Sequence, residues 1–347
     1  MIPEIFIDKN HPAEKLARLF WEAHRVARAA VREALLTAQG NAMTKVAAIT
    51  AADTIYGIDT IAEAALLNFI EAQHSAFGGA AFVLVGEFET GDALKFGSGP
   101  PQFRVLLDPI DGTRLLMHKK SSGWILTGIA PERGEATRLA EIFFALQTEL
   151  PPPKQTFGDT LWAGPISPVQ GWRENLLTGE STPLLLGGEA ADDLRHGFIS
   201  FVNFFPRGKQ LLAKLEEEFL YSPSVAAPAG EDLPIFTDQH LSTGGQLYAL
   251  MTGQMRLVAD FRPLLNRQWR QRHEPTLLCA HPYDLATALI ARKAGVSLFD
   301  QHGANLDGPT APTDEIGWIG FSNAKLAARY LPVLLETLER NNLRIAP

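Results

Sequence analysis

Two aspartates stand three residues apart in the segment Asp108-Pro109-Ile110-Asp111-Gly112-Thr113, where the apolar run Phe103 to Leu107 ends. A strand ending on Asp108 carries a carboxylate beyond the sheet, and Pro109 fixes the direction of the turn that follows. Asp111 then brings a second hard oxygen donor toward the same point, and the Ile110 carbonyl, held in a turn, is free to add a third. Magnesium takes such ligands and keeps several of its waters, so it needs few carboxylates per ion. Gly112 and Thr113 carry backbone N–H groups to a place where a helix could begin, a cradle for phosphate. Glu87 closes the apolar run Ala81 to Gly86, and Asp284 follows His281 at the start of a helical pattern. The four carboxylates together would suit two ions ~3.5–4 Å apart, the pair that clamps the attacking and leaving oxygens of phosphoryl transfer.

Each piece also has an ordinary explanation. Asp-Pro and Asp-Gly are turn signals, and a lone pair of aspartates in a turn is commonly solvated surface. Glu87 by itself is a strand-end charge. Asp284 by itself is an acid favoured at a helix N-terminus. His281 by itself is a hydrogen-bonded structural histidine. Their joint order, each at the end or start of an element, points to a shared site.

The elements that must place them follow from periodicity. Leu16, Leu19, Phe20, Ala23, Ala27, Val31 and Leu35 recur at three- and four-residue spacing and predict a long helix over 12–37. A second helix is expected over 59–74, and further helices over 208–219, 244–253 and 283–294, the last stopped by Gly295. The runs 81–86, 103–107, 124–130 and 296–299 read as strands. Ser322 or Asn323 caps a final helix reaching Arg340. Strands and helices alternate without the rhythm of a purely parallel sheet, which indicates a mixed α/β arrangement.

With these segments in order, the sequence resembles the inositol monophosphatase family, part of the lithium-sensitive, magnesium-dependent phosphatases that include fructose-1,6-bisphosphatases. The family's Asp-Pro-(Ile/Leu)-Asp-Gly-(Thr/Ser) motif stands at 108–113, and its Gly-Glu strand end at Gly86-Glu87. Its Asp-x-x-Thr-x-x-Asp segment is similar to Asp53 through Asp59. Its Trp-Asp element and following helix are similar to Tyr283-Asp284 through Val296, and its late Asn-x-x-Leu to Asn323 through Leu326. The resemblance implies a layered αβαβα sandwich with an N-terminal sheet-and-helix half, 1–165, and a C-terminal half, 166–347, carrying Asp284 and substrate specificity. It implies that Glu87, Asp108, the Ile110 carbonyl, Asp111 and Asp284 bind two or three Mg2+ ions. Asp59 and Thr113 would activate the attacking water, with Glu87 counted among the catalytic groups. Gly112, Thr113 and Arg114 would meet the substrate, a small phosphorylated metabolite, and a homodimer is expected. A bisphosphate or 3′-phosphoadenosine nucleotide phosphatase, or a phosphoester-binding pseudoenzyme, are the alternatives.

Several positions depart from the family pattern. Phe88 stands where a second acid often follows Gly-Glu, which puts a third ion in question. Tyr56 replaces a threonine, Tyr283 a tryptophan, and Arg256 an aspartate. Arg256 reads as a surface residue or, alternatively, as a guanidinium for a second anionic group; Arg114, beside the phosphate cradle, is the stronger candidate. Phe143-Phe144 and Phe204-Phe205 read as core, and Arg267 to His273 as a solvated loop. Across 347 residues the formal net charge is -8, which argues against nucleic acid as a partner. No apolar run has the length of a membrane span. The first residues lack a signal-peptide pattern, and a single cysteine, Cys279, fits a reducing compartment. A cytoplasmic enzyme is expected.

Overall fold

The computed structural model describes residues 3, 6–37, 43–49, 54–88, 93–166, 168–187, 190–226 and 233–343. Asp53, the first residue of the Asp53-to-Asp59 segment, lies outside them. The chain opens with helix α1 (Glu14–Thr37), the short hairpin β1 (Val46–Ile49) and β2 (Thr54–Tyr56), and helix α2 (Gly57–Gln73). There follow β3 (Phe82–Gly86), β4 (Ala93–Phe96), β5 (Phe103–Asp111), the single-turn helix α3 (Thr113–Met117) and β6 (Gly123–Pro131). Strands β7 (Phe144–Leu150), β8 (Phe157–Ala163), β9 (Gln170–Asn175) and β10 (Ser181–Pro183) complete the first sheet. The second part comprises β11 (Phe198–Phe201), α4 (Lys209–Leu220), β12 (Phe236–Thr237), α5 (Thr243–Met251), β13 (Leu257–Asp260) and α6 (Arg262–Gln271). A 3-10 turn (Pro282–Leu285), α7 (Ala288–Lys293), β14 (Ser297–Asp300), β15 (Trp318–Phe321) and α8 (Ala324–Arg340) end it.

These elements stack in five layers. The outer α1 and α2 bury the apolar stripe read from the sequence, Leu16, Phe20, Ala27 and Val31 with Leu66 and Ile70, on one face of an eight-stranded sheet. That sheet has the order β10-β9-β8-β7-β6-β5-β3-β4. Its other face packs through Leu106, Leu126 and Leu161 against α5 and α7, which contribute Leu247, Leu250 and Ile290. A five-stranded sheet, ordered β12-β11-β13-β15-β14, lies beyond. Its far face, with Ile199, Phe201 and Ile319, is covered by α4 and α8 through Leu215, Phe219, Leu326 and Leu334. The expected αβαβα sandwich is present. Strands β9 and β10, at 170–183, belong to the first sheet, so the sheets change over beyond residue 183 and not at 165.

One topological feature places the site. Neighbours in the first sheet are antiparallel except that β3 runs parallel to β5; in the second, β11 runs parallel to both β12 and β13, and the other pairs are antiparallel. Ligands in open α/β sheets gather beyond the carboxyl ends of parallel strands. Here those ends deliver Glu87, Asp108 and Asp111 from the first sheet. From the second come the residues after Phe201, Thr237 and Asp260.

Three local expectations are corrected. The single helix over 283–294 is a 3-10 turn followed by α7, because the chain leaves helical geometry at Thr287 (φ -101, ψ 12). Residues 267–271 belong to α6, where Arg270 pairs with Glu315 and Trp269 lies under Arg207, so this is no solvated loop. Strand β5 runs on to Asp111 through an irregularity between Asp108 and Asp111 where it pairs with β6, so Pro109 sits inside the strand.

His24 of α1 is buried against the first sheet, its ring nitrogens 2.9 Å from Thr148 Oγ1 and 2.8 Å from Thr127 Oγ1. Burial, helped by Arg28, lowers its pKa from 6.5 to about 3. The unfolded chain therefore takes up a proton near pH 6.5 that the folded chain refuses down to about pH 3. Folding stability from this group is complete above pH 6.5 and is lost as pH falls, by about 1.4 kcal/mol per unit. Urea titrations at pH 7.5, 5.5 and 4.5 should show a shallower acid loss for His24→Gln than for the parent; identical slopes would refute the assignment.

Candidate active site

Asp108 and Asp111 are both 7% exposed, and Asp284 is half-buried. One carboxylate oxygen from each lies within 4.8 Å of the others. Asp108 Oδ1 accepts the Ile110 amide at 2.9 Å, which sets the turn of the strand end. The Asp284 carboxylate accepts the His281 amide, fixing the 3-10 turn that carries it. Glu87, directly after β3, and Asp59, in the first turn of α2, line the same cleft.

The electrostatics follow from crowding like charges in a dry place. Burial pushes the Asp108 pKa well above the usual carboxylate range, and the charges of Asp284, Asp111 and Glu87 push it further. Asp111 rises to about 8, through burial first and Asp284 second. Opposing that rise, Ser242 Oγ donates to Asp111 Oδ2 at 2.8 Å, and the Thr243 and Gly244 amides donate to the same carboxylate. Asp111 thus sits on the N-terminus of α5, whose dipole favours an anion there. Gly244 is obligatory at this contact: a Cβ would lie 2.9 Å from Asp111 Oδ2 and 2.6 Å from Leu126.

Thr113 and Asp59 form a second unit. Thr113 Oγ1 lies 2.7 Å from Asp59 Oδ1 and 2.7 Å from the Ile110 carbonyl. Its one proton favours the charged acceptor. Asp59 Oδ2 accepts the Tyr56 amide at 2.8 Å, so the carboxylate is held from both sides. Gly112 precedes α3 in the left-handed region at φ 90, and a Cβ there would meet the Ser242 side chain at 2.9 Å.

Every side chain or carbonyl expected to act, Asp59, Glu87, Asp108, Ile110, Asp111, Gly112, Thr113, Arg114 and Asp284, lines one cleft of about 810 Å3 of empty space. Arg114 stands at its edge, 5.5 Å from the Tyr56 ring centroid. Arg256 does not reach the cleft: it is buried and donates to the carbonyls of Asp193 and Arg195. It is not a surface residue. Phe88 is 2% exposed in the core, facing away from the carboxylates. Phe204 packs against the core, as expected, but it and Phe205 also line the cleft.

Some lining residues were not singled out from the sequence. Glu63 stands one turn beyond Asp59 on α2, a four-residue spacing that could have found it. Ser242 caps α5 by accepting the Gly245 amide at 2.8 Å, so the Ser-Thr pair before Gly244 was a legible N-cap signal. Arg262 gave no signal; its role depends on Asp260, which grips it at the end of β13.

The donor set suits a hard divalent cation. All its groups are oxygens, like charges are crowded together, and the Ile110 carbonyl keeps a lone pair. One orphaned atom fits the same reading. His281 Nδ1 must donate to the Asp314 carbonyl at 2.8 Å, which leaves a buried acceptor at Nε2 with no partner among the described residues.

No protein-family model matches the sequence. No curated protein matches it at significance. Solved structures do. Fructose-1,6-bisphosphatase from Leishmania major superposes with a TM-score of 0.63 at 14% identity, over 94% of this chain and 96% of that one. A hypothetical protein of Pyrococcus horikoshii with similarities to inositol-1 monophosphatase gives 0.59 at 17% identity, over 94% and 98%. SuhB of Mycobacterium tuberculosis gives 0.56 at 14%, over 97% and 100%. The chain therefore has the fold shared by inositol monophosphatases and fructose-1,6-bisphosphatases. Among the described residues no helix is long and apolar enough to cross a membrane.

Repulsion within the cluster yields a signed prediction. In metal-free buffer Asp108→Asn should raise thermal stability, by about 1–2 kcal/mol, because it removes one buried like charge while its side-chain oxygen can still accept the Ile110 amide. The stabilisation that added Mg2+ gives the parent should be lost in the variant. Differential scanning calorimetry with and without Mg2+ reads both; a destabilised metal-free variant would contradict the repulsion.

Proposed function

We propose that this chain is a Mg2+-dependent phosphatase that hydrolyses a small phosphate monoester. The observation that carries the reading is the meeting of Asp108, Asp111 and Asp284 in one cleft with Glu87 and the hydrogen-bonded Thr113–Asp59 pair. Asp108, Asp111, Asp284, Glu87 and the Ile110 carbonyl would hold the ions. Bound Mg2+ would lower the pKa of the attacking water and stabilise charge growing on the phosphoryl oxygens.

The chain's own groups do the rest. Thr113 Oγ1 gives its proton to Asp59 and so presents lone pairs that can accept a proton from water. The Tyr56 amide keeps Asp59 in place during that transfer. The Gly112 and Thr113 amides, at the start of α3, would receive the phosphate, and Arg114 would meet it from the cleft edge. Asp111 is held by Ser242, Thr243 and Gly244 at the start of α5.

The Phe88 departure does not favour a pseudoenzyme, since that position faces the core and leaves the carboxylates untouched. Two ions are the proposed number. Arg256 is buried and is not among the residues lining the cleft, so it lends no support to a bisphosphate substrate. The homodimer that the resemblance implies belongs to the same proposal.

Phosphate release from a panel of monoesters tests the reading. With Mg2+ the parent should turn over at least one ester. Thr113→Val should lower kcat about 10²–10⁴-fold with KM little changed, the range for a lost proton-transfer group. Equal rates for Thr113→Val, Asp59→Asn and the parent would sink the proposal.

A further inference from the structure

The phosphate end of the cleft is built of carboxylates and amides, but the wall facing it has a different chemistry. Its residues follow β11, β12 and β13, with Leu278 and Ala280 supplied by the segment between α6 and the 3-10 turn. Phe204 and Phe205 stand on the loop after β11, half-buried, with ring centroids 5.0 Å apart and planes at 69°. Leu241, Leu278 and Ala280 extend the same wall.

Two features make this wall selective. The first is that the aromatic pair is held in place. The Arg262 guanidinium carbon lies 4.8 Å from the Phe204 centroid and 5.9 Å from that of Phe205. Arg262 is itself fixed, its Nε donating to Asp260 Oδ1 at 2.9 Å and its Nη1 to the Leu278 carbonyl at 2.7 Å. Cation–ring contacts of this kind order an aromatic side chain before any ligand arrives. The second is the removal of a hydrogen-bond acceptor. Asp260 would be a strong acceptor for sugar hydroxyls, yet its side chain is 1% exposed and both its oxygens take N–H groups of Arg262. A polyol pressed against the two rings would give up water without replacing those bonds, a loss on the order of 1–3 kcal/mol per buried hydroxyl. An apolar ring would lose nothing and gain contact with a preordered aromatic surface.

We propose that the leaving group of the substrate presents an apolar or aromatic ring to Phe204 and Phe205, and that the site discriminates against polyol phosphates such as inositol phosphates. The inference rests on the phosphatase reading for its chemistry. The wall's preference can also be measured as binding, independent of turnover.

Benzyl phosphate, cyclohexyl phosphate and inositol 1-phosphate all release an aliphatic alcohol, so the intrinsic reactivity of an aryl ester does not enter. With Mg2+, the kcat/KM for benzyl phosphate should exceed that for inositol 1-phosphate by about tenfold or more, with cyclohexyl phosphate between them. Phe204→Ala should bring the ratio to within about twofold, and Phe204→Tyr, which keeps the ring, should retain it. If Phe204→Ala does not fold, Phe204→Leu replaces it, with an intermediate ratio expected. Calorimetry with benzylphosphonate and methylphosphonate in the same buffer reads the wall without turnover. Benzylphosphonate should bind the parent about tenfold more tightly and Phe204→Ala with no such margin. Preference for inositol 1-phosphate, or an aromatic preference undiminished in both Phe204→Ala and Phe205→Ala, would overturn the inference. If no ester is hydrolysed, the phosphatase reading fails, and the phosphonate margin alone decides the wall: present, it upholds the aromatic subsite; absent, it removes it.

Discussion

Carboxylates whose oxygens approach within 4.8 Å, two of them buried, repel each other through a medium that screens poorly. Folding brings Asp108, Asp111 and Asp284 to this distance and holds them there with backbone amides, a serine hydroxyl and the start of a helix. Those supports are as informative as the acids. A fold without use for the cluster would let the side chains swing outward or neutralise them with lysine or arginine. This one fixes them inward. Arg262, which lines the same cleft, is paired with Asp260. Carboxylates at this spacing match the donor chemistry of a hard cation.

The two sheets serve that constraint. Parallel pairing is confined to β3 with β5 and to β11 with its neighbours, and the carboxyl ends of those strands face a common cleft. Asp111 crosses the gap as the anion on the N-terminus of α5, so one residue both binds in the site and ties the layers together. The packing of α5 and α7 between the sheets, through Leu247, Leu250 and Ile290, gives this contact a rigid base. The cleft draws on both parts of the chain: Glu87, Asp108 and Asp111 come from the first sheet, Asp284 from the 3-10 turn, and Phe204 and Phe205 from the loop after β11.

Much of this was legible in the sequence because short-range signals carried it. The α1 stripe, the apolar runs ending in Glu87 and Asp108, and the Asn323 cap are all local patterns, and each falls where its periodicity or turn chemistry places it. The six residues 108–113 are a local signal too. What stayed hidden depends on distant partners. Arg256 reads as a surface cation until the carbonyls of Asp193 and Arg195 are seen to take it. Phe204 and Phe205 look like core until the end of β11 is known to open on a cleft. No spacing announces that Asp260 and Arg262 cancel each other, since that requires the bend between β13 and α6.

The most direct test is anomalous diffraction from crystals grown with Mn2+ standing in for Mg2+. The account predicts metal density bounded by Glu87, Asp108, the Ile110 carbonyl, Asp111 and Asp284, and its loss in Asp108→Asn crystals. A parent structure with no metal in this cleft at saturating Mn2+, its carboxylates sharing protons instead, would contradict it.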